Sequence, residues 1–199
     1  MERKELLRFL FITVMTLLAT FSITLYIFRS QAIENARNQA HTISEITRDT
    51  LTSYMVMGVI DRRDEFLSRI RKVGNVQEIR VVRAEGVIKQ FGKSTTFEVP
   101  KDEIERAVLE DGKSKEIYKE SFKNATYKIV IPYKAEPTKD INCLQCHSVQ
   151  PGEVLGAIVV TIDLTQTRIE SLKMSFWIFG TFLAVFGLSF FFFRSLDID

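Results

Sequence analysis

Cys143-Leu144-Gln145-Cys146-His147 is the stretch of this 199-residue chain whose residue types and spacing can do chemistry. Two thiols separated by two residues can each form a thioether with a porphyrin vinyl group. A histidine directly after the second falls where it can ligate the iron. The pentapeptide uses both cysteines of the chain and one of its two histidines. Other chemistries compete for it. A structural zinc site wants four ligands, commonly as two spaced pairs, and only His41 is left to add. A thioredoxin-like dithiol wants a strand before it and a helix after it. Here Pro137 precedes and Pro151-Gly152 follows, so the stretch reads as a loop. A plain disulfide is the bland alternative. The spacing favours one covalently attached haem c per chain, with Cys143 and Cys146 as the thioether residues and His147 as the proximal iron ligand.

For the sixth iron position the chain offers Met57, Met55 and His41. A methionine thioether opposite a histidine is an established haem pair and raises the reduction potential. A methionine on a helix is also common core filler. His41 stands about 16 residues, or ~24 Å of helix, before Met57, so the two cannot serve one haem from a single helix. Water or an open position is the remaining option. Apolar walls can come from Leu144, Ile141, Tyr133, Ile131 and Tyr54. Arg80, Arg83 or Lys134 can pair with propionates, although such charges also suit a solvated strand face.

These residues must be carried by something, and the chain is made of two materials. Residues 9–28 and 174–193 are uncharged runs of 20 residues, each bounded by basic residues. About 20 apolar residues cross a hydrocarbon core. The second run holds eight of the sixteen phenylalanines and the single tryptophan, Trp177, near its entry, as an interfacial belt requires. Ser30-Gln31-Ala32 resembles a leader cleavage site, but a leader's apolar region is usually shorter, so a retained anchor is expected. Basic residues flank both sides of both runs, and the positive-inside rule does not decide orientation. Haem attachment does, because chain and haem must both be exported. The expected layout is a cytoplasmic tail at 1–8, a first span at 9–28, a periplasmic domain at 29–173, a second span at 174–193 and a cytoplasmic tail at 194–199. The protein then sits in a bacterial inner membrane with its lipid bilayer as an obligate partner.

After the first span the helical pattern persists. Ile33, Ala36, Ala40, Ile43, Thr47, Thr50, Tyr54 and Met57 form a heptad-like seam with no Gly or Pro before Gly58. The seam predicts either a dimer interface or packing on the chain's own domain. Asp61 is a candidate N-cap for a second helix ending at Gly74-Asn75. Strands are expected at Ile79–Val82, Val87–Phe91, Glu116–Glu120, Tyr127–Tyr133 and Val154–Leu164. A short helix opened by Pro100, with Asp102 and Glu103 in its first turn, is expected to close at Gly112. The fold class is therefore α+β: a five-stranded antiparallel sheet with a long N-terminal helix, flanked by two transmembrane helices.

With that order laid out, the run Gln77 to Arg83 with Gln90-Phe91-Gly92, the helix start Pro100 to Glu103, the haem loop and the strand entry Gly152 to Gly156 resemble one family. It is the periplasmic PAS-like (Cache-like) domain bearing one c-type haem, found in bacterial chemoreceptors, histidine kinases and diguanylate cyclases. The resemblance covers about residues 30–173 and the two spans. It implies a homodimer through the long N-terminal helix and redox or diatomic-gas sensing at the haem. It also implies a methionine before a glycine-containing turn as distal ligand, which Met57-Gly58 matches best and Met55 next. Family members continue past the second span into an output module, so either such a module or a separate cytoplasmic signalling partner is expected. The leading function is a haem-based redox or small-gas sensor for transmembrane signalling. The alternative is a membrane-anchored electron-transfer cytochrome with its redox partner. A weaker third reading is an interaction subunit with a structural haem. No nucleophile–base pair or acidic dyad is recognisable, so an enzyme is not expected, nor is a nucleic-acid partner.

Overall fold

The computed structural model describes residues 3–92, 97–136 and 142–196. Helix α1 (Arg3–Val56) is followed by a 3-10 turn (Ile60–Arg62), α2 (Arg63–Ile70), β1 (Val76–Arg83), α3 (Glu85–Phe91) and α4 (Glu103–Asp111). Then come β2 (Lys115–Glu120), β3 (Ala125–Lys134), a 3-10 turn (Cys143–Gln145), β4 (Val154–Asp163) and α5 (Thr165–Leu196). The chain divides into two units, one made of Met1–Ile33 with Gln166–Asp199 and the other of Glu34–Thr165.

The unit Glu34–Thr165 is built on an antiparallel sheet of order β1-β4-β3-β2. Strand β4 is buried along most of its length because it has neighbours at both edges and helices over both faces. On one face Val82, Val130, Ala157 and Val159 close against Val108, Ile104 and Leu109 of α4. On the other lie Tyr127, Ile129 and Tyr133 of β3, and α1 crosses them. Arg37 of α1 donates to Glu116 of β2 at 2.9–3.0 Å, and Thr52 of α1 is hydrogen-bonded to Tyr133. The buried stripe of α1 is Ala36, Ala40, Ser44, Thr47 and Leu51. Small residues bring the helix close to the sheet. The expected seam is thus used, at least in its first half, against the chain's own domain.

The sheet has four strands where five were expected. Residues Val87–Phe91 form α3, a helix, instead of a strand. A short apolar run does not reveal its own period, and here the run is closed by backbone hydrogen bonds of helical spacing, Ile88 to Ala84 and Gly92 to Ile88. Asp61 is not the N-cap of α2. It belongs to the 3-10 turn, and Arg62 takes the cap position without a side-chain bond. Helix α4 ends where its sequence predicts, but it begins later, at Glu103, with Pro100 and Lys101 ahead of it and Asp102 at the cap. The Asp102 carboxylate accepts the Glu105 N–H at 3.0 Å, and Gly112 adopts the left-handed conformation, φ 62°, that an L side chain avoids.

Helix α4 is pinned to the sheet by buried charge. Arg80, 3% exposed, donates to Glu105 at 2.5 Å, to Glu78 at 2.8 Å and to the Phe97 and Val99 carbonyls. Lys128 donates to Asp102 and Glu105, each at 2.6 Å, and the Lys101 N–H donates to Glu105 at 2.7 Å. Arg80 is therefore part of an ion network and not a solvated strand residue.

In the other unit, Phe9 stacks on Phe186 at 5.7 Å, and Phe21 meets Phe176 and Phe179 at 5.7 and 5.4 Å. The hydroxyls of Thr13, Thr16, Thr20 and Thr24 donate to carbonyls three or four residues earlier. Those bonds remove polar groups that a lipid environment would leave unsatisfied. Both helices are long and apolar enough to cross a membrane.

Candidate functional site

A cavity of about 620 Å³ opens in the unit Glu34–Thr165. It is walled by the last turns of α1, the 3-10 turn with the start of α2, residues of β1 and β4, Tyr133 of β3, α3, Glu98 and the loop that carries the cysteines. That volume lies within the range of small-molecule and cofactor sites, roughly 300–1,000 Å³. Its walls are largely apolar, with Leu51, Val81, Leu155 and Ile158 among them.

The loop delivers chemistry to this space. Asn142 accepts the Leu144 N–H at 3.0 Å and starts a 3-10 turn, and the Cys146 and His147 N–H groups both bond back to the Cys143 carbonyl. That tight turn brings Cys146 and His147 to the cavity wall. Cys143 packs with Leu144 and Val149 against Val87, Ala135 and Leu155. The two thiols are free. Residues 137–141, including Ile141, lie outside the described residues.

His147 is the centre of the arrangement. Its Nδ1 is buried and has no hydrogen-bond partner among the described residues. Such a group costs about 1–3 kcal/mol unless something occupies it. Burial, and then the charge of Arg83, push the imidazole below the usual histidine range. The neutral ring, which is the ligating form, is favoured. Phe91 meets the ring edge-on, with centroids 5.3 Å apart and planes at 75°.

The other expected residues separate. Met55 lines the cavity. Met57 does not, and is 62% exposed just before Gly58. His41 is exposed on α1, well away from the cavity lining. Tyr133 lines the cavity and its hydroxyl reaches α1, bonded to Thr52 and 3.4 Å from the Arg48 carbonyl. Tyr54 instead packs on Phe66 of α2, with ring centroids 6.1 Å apart. Leu144 belongs to the cluster behind the loop, and Ile131 does not line the cavity. Of the proposed propionate partners only Arg83 lines the cavity; Arg80 and Lys134 do not. Arg63 lines it as well and had not been singled out. Glu98, also on the wall, accepts from Arg63 at 2.9 Å and faces Arg83 at 3.6 Å. Nothing local marks Arg63; it reaches the site because α2 starts beside α1. Among the described residues no three His, Cys, Asp or Glu side chains converge on a metal-sized site.

A long helix, a four-stranded antiparallel sheet and a walled cavity define an α+β domain with room for a small ligand, in a chain that also has two helices long and apolar enough to cross a membrane. Residues 44–165 match the sensor of methyl-accepting chemotaxis sensory transducers, class 40H. The chain belongs to that family and carries a chemoreceptor sensor domain for transmembrane signalling. No match was found among curated proteins.

Proposed function

We propose that this sensor domain works through a single haem c, attached at Cys143 and Cys146 and ligated by His147, with the domain in the periplasm and α1 and α5 as its membrane anchors. The observation that carries the reading is His147, a neutral-favoured imidazole on the wall of an apolar cavity of cofactor size, with a buried nitrogen that has no partner among the described residues. The attachment motif alone would permit a haem on an open surface; the cavity supports an enclosed one. Met55 is the side chain best placed to serve as sixth ligand, because it lines the cavity and Met57 does not. Arg63 and Arg83 are the cations that would pair with propionates. Leu51, Val81, Leu155 and Ile158 would exclude water from the porphyrin faces.

When bound there, the haem supplies an iron that can change oxidation state or take up a diatomic ligand. The chain supplies the coupling. Leu51 and Met55 on the cavity wall belong to the same uninterrupted helix as residues 9–28. Leu155, Gly156 and Ile158 belong to β4, which runs directly into α5. A change in what Met55 or Tyr133 touches therefore biases two elements that lead to the apolar helices, as a two-state transmembrane signal requires.

The test is expression of the full chain in a bacterium competent for cytochrome c maturation. Covalent haem predicts pigment and one haem's added mass that persist through denaturation and vanish in Cys143→Ser/Cys146→Ser. Colourless protein at its bare polypeptide mass ends the reading. Spectra with and without NO or CO then separate a sensor, whose iron takes up the gas, from an electron carrier with an inert six-coordinate iron.

A further inference from the structure

Helix α3 touches the cysteine loop along its length, and two hydrogen bonds from its last turn flank the candidate ligand. The Gln90 side-chain amide is used at both ends. Its Nε2 donates to the Cys146 carbonyl at 2.8 Å, and its Oε1 accepts the Ser148 N–H at 2.9 Å. One amide group thus holds the backbone immediately before and immediately after His147. The next residue, Phe91, sets its ring edge-on against the imidazole. At the other end of α3, a Cβ on Gly86 would come within 3.1 Å of Glu153 Oε1 and 3.4 Å of Val149 Cγ1, so the helix lies hard against the far side of the same loop. Gln90 is itself exposed. Its side chain contributes little to the core, so these two loop bonds are what it provides.

We infer that α3 is a clamp for the proximal ligand and that Gln90 is its positioning residue. The inference rests on the haem reading above and adds to it. A histidine on a free loop has two backbone and two side-chain torsions with which to drift. The Gln90 amide fixes the backbone torsions across Cys146–Ser148, and Phe91 restricts rotation of the ring. Groups that orient a metal-bound histidine tune the metal as strongly as many direct ligands do, with losses of about 10–100-fold on removal. Such a clamp also couples in the other direction, because a displacement of the histidine reaches α3 through two short hydrogen bonds.

The test uses the full chain in membranes or detergent, comparing wild type with Gln90→Ala, Gln90→Glu, Phe91→Ala and the neighbouring control Lys89→Ala. Lys89 is exposed on the same helix and pairs with Glu85 within it, at 2.7 Å. Gln90→Glu keeps the acceptor for Ser148 but loses the donor to Cys146. Two readouts are taken. The first needs no haem: amide exchange at Ser148 is expected to accelerate about tenfold or more in Gln90→Ala, less in Gln90→Glu, and not in Lys89→Ala. The second is the ferric EPR and visible spectrum, expected to shift or split into several species in Gln90→Ala and Phe91→Ala while covalent pigment is retained. Unchanged Ser148 exchange in Gln90→Ala overturns the clamp. Accelerated exchange with unchanged spectra overturns the positioning role. A colourless wild type overturns the haem reading and with it the positioning role, and the Ser148 readout still decides whether α3 holds the loop.

Discussion

Met55 and Met57 stand two positions apart at the end of α1, and helix phase alone separates their roles. The buried stripe runs Ala36, Ala40, Ser44, Thr47, Leu51, in steps of four, four, three and four, and one further step of four reaches Met55, which lines the cavity and is itself 39% exposed. Met57 falls off that stripe into solvent. In the haem-loaded chain, Met55→Ala is expected to shift the visible spectrum and to lower the reduction potential by on the order of 100 mV. Met57→Ala is expected to leave both unchanged in a redox titration. The sequence supports a strict heptad seam equally well, and that seam drifts by one position between Ala40 and Thr50, which is enough to point to Met57 where the cavity is lined by Met55. The cysteine motif has no such weakness, since its chemistry depends on neighbours in the chain and not on phase. Gly156 makes a second prediction at this scale. A Cβ there would lie 2.4 Å from the Val82 carbonyl oxygen, which is held in the β1–β4 ladder and cannot retreat. Gly156→Ala is expected to destabilise the domain by about 1–3 kcal/mol, visible as a lowered denaturation midpoint.

Among the elements, α4 and α3 show what local sequence can and cannot convey. Asp102 and Gly112 bracket α4 because capping chemistry is local. Nothing between Glu85 and Phe91 discriminates helix from strand; packing of Val87 against Ala135 and Leu155, remote in sequence, selects the helix. The network that holds α4 was also illegible, because Arg80, Glu105 and Lys128 meet only after folding. Burial alone would raise the Glu105 carboxyl, but hydrogen bonds from Lys128, the Lys101 N–H and Arg80 outweigh it and hold the group below its ordinary value of 4.5. A carboxyl depressed in the folded state adds stability above the unfolded value and loses it as pH falls through the folded one. Stability is therefore expected to decline below about pH 4.5. Glu105→Gln, which leaves Arg80 and Lys128 short of a buried anion, is expected to cost about 3–5 kcal/mol at neutral pH and to flatten that acid branch. Chemical denaturation at several pH values measures both. Tyr133 ties the cavity to α1 by a different bond. Tyr133→Phe removes the hydroxyl that reaches Thr52 and the Arg48 carbonyl. Exchange in the last turns of α1 is then expected to quicken about five- to tenfold, with the sheet unaffected.

At the scale of the whole molecule, cofactor and topology stand or fall together. The first and second apolar helices bracket the sensor unit in sequence, so if both cross the membrane, 34–165 lies on one side and both flanks on the other. The basic residues around the apolar runs leave the side undetermined, as they are nearly balanced across each run. The proposed covalent attachment would fix it, because thiols and haem must meet outside the cytoplasm. Protease added to intact spheroplasts is therefore expected to digest the region 34–165, including the cysteine loop, while alkaline extraction leaves the apolar helices in the membrane fraction. The same protein made without a haem-export pathway is expected to take the same orientation and remain colourless, since the apolar helices and not the cofactor direct insertion. If the protease cuts the sensor unit only after the cells are lysed, the unit lies in the cytoplasm. The cysteines then have no access to exported haem, and the cavity beside His147 must be assigned to some other occupant.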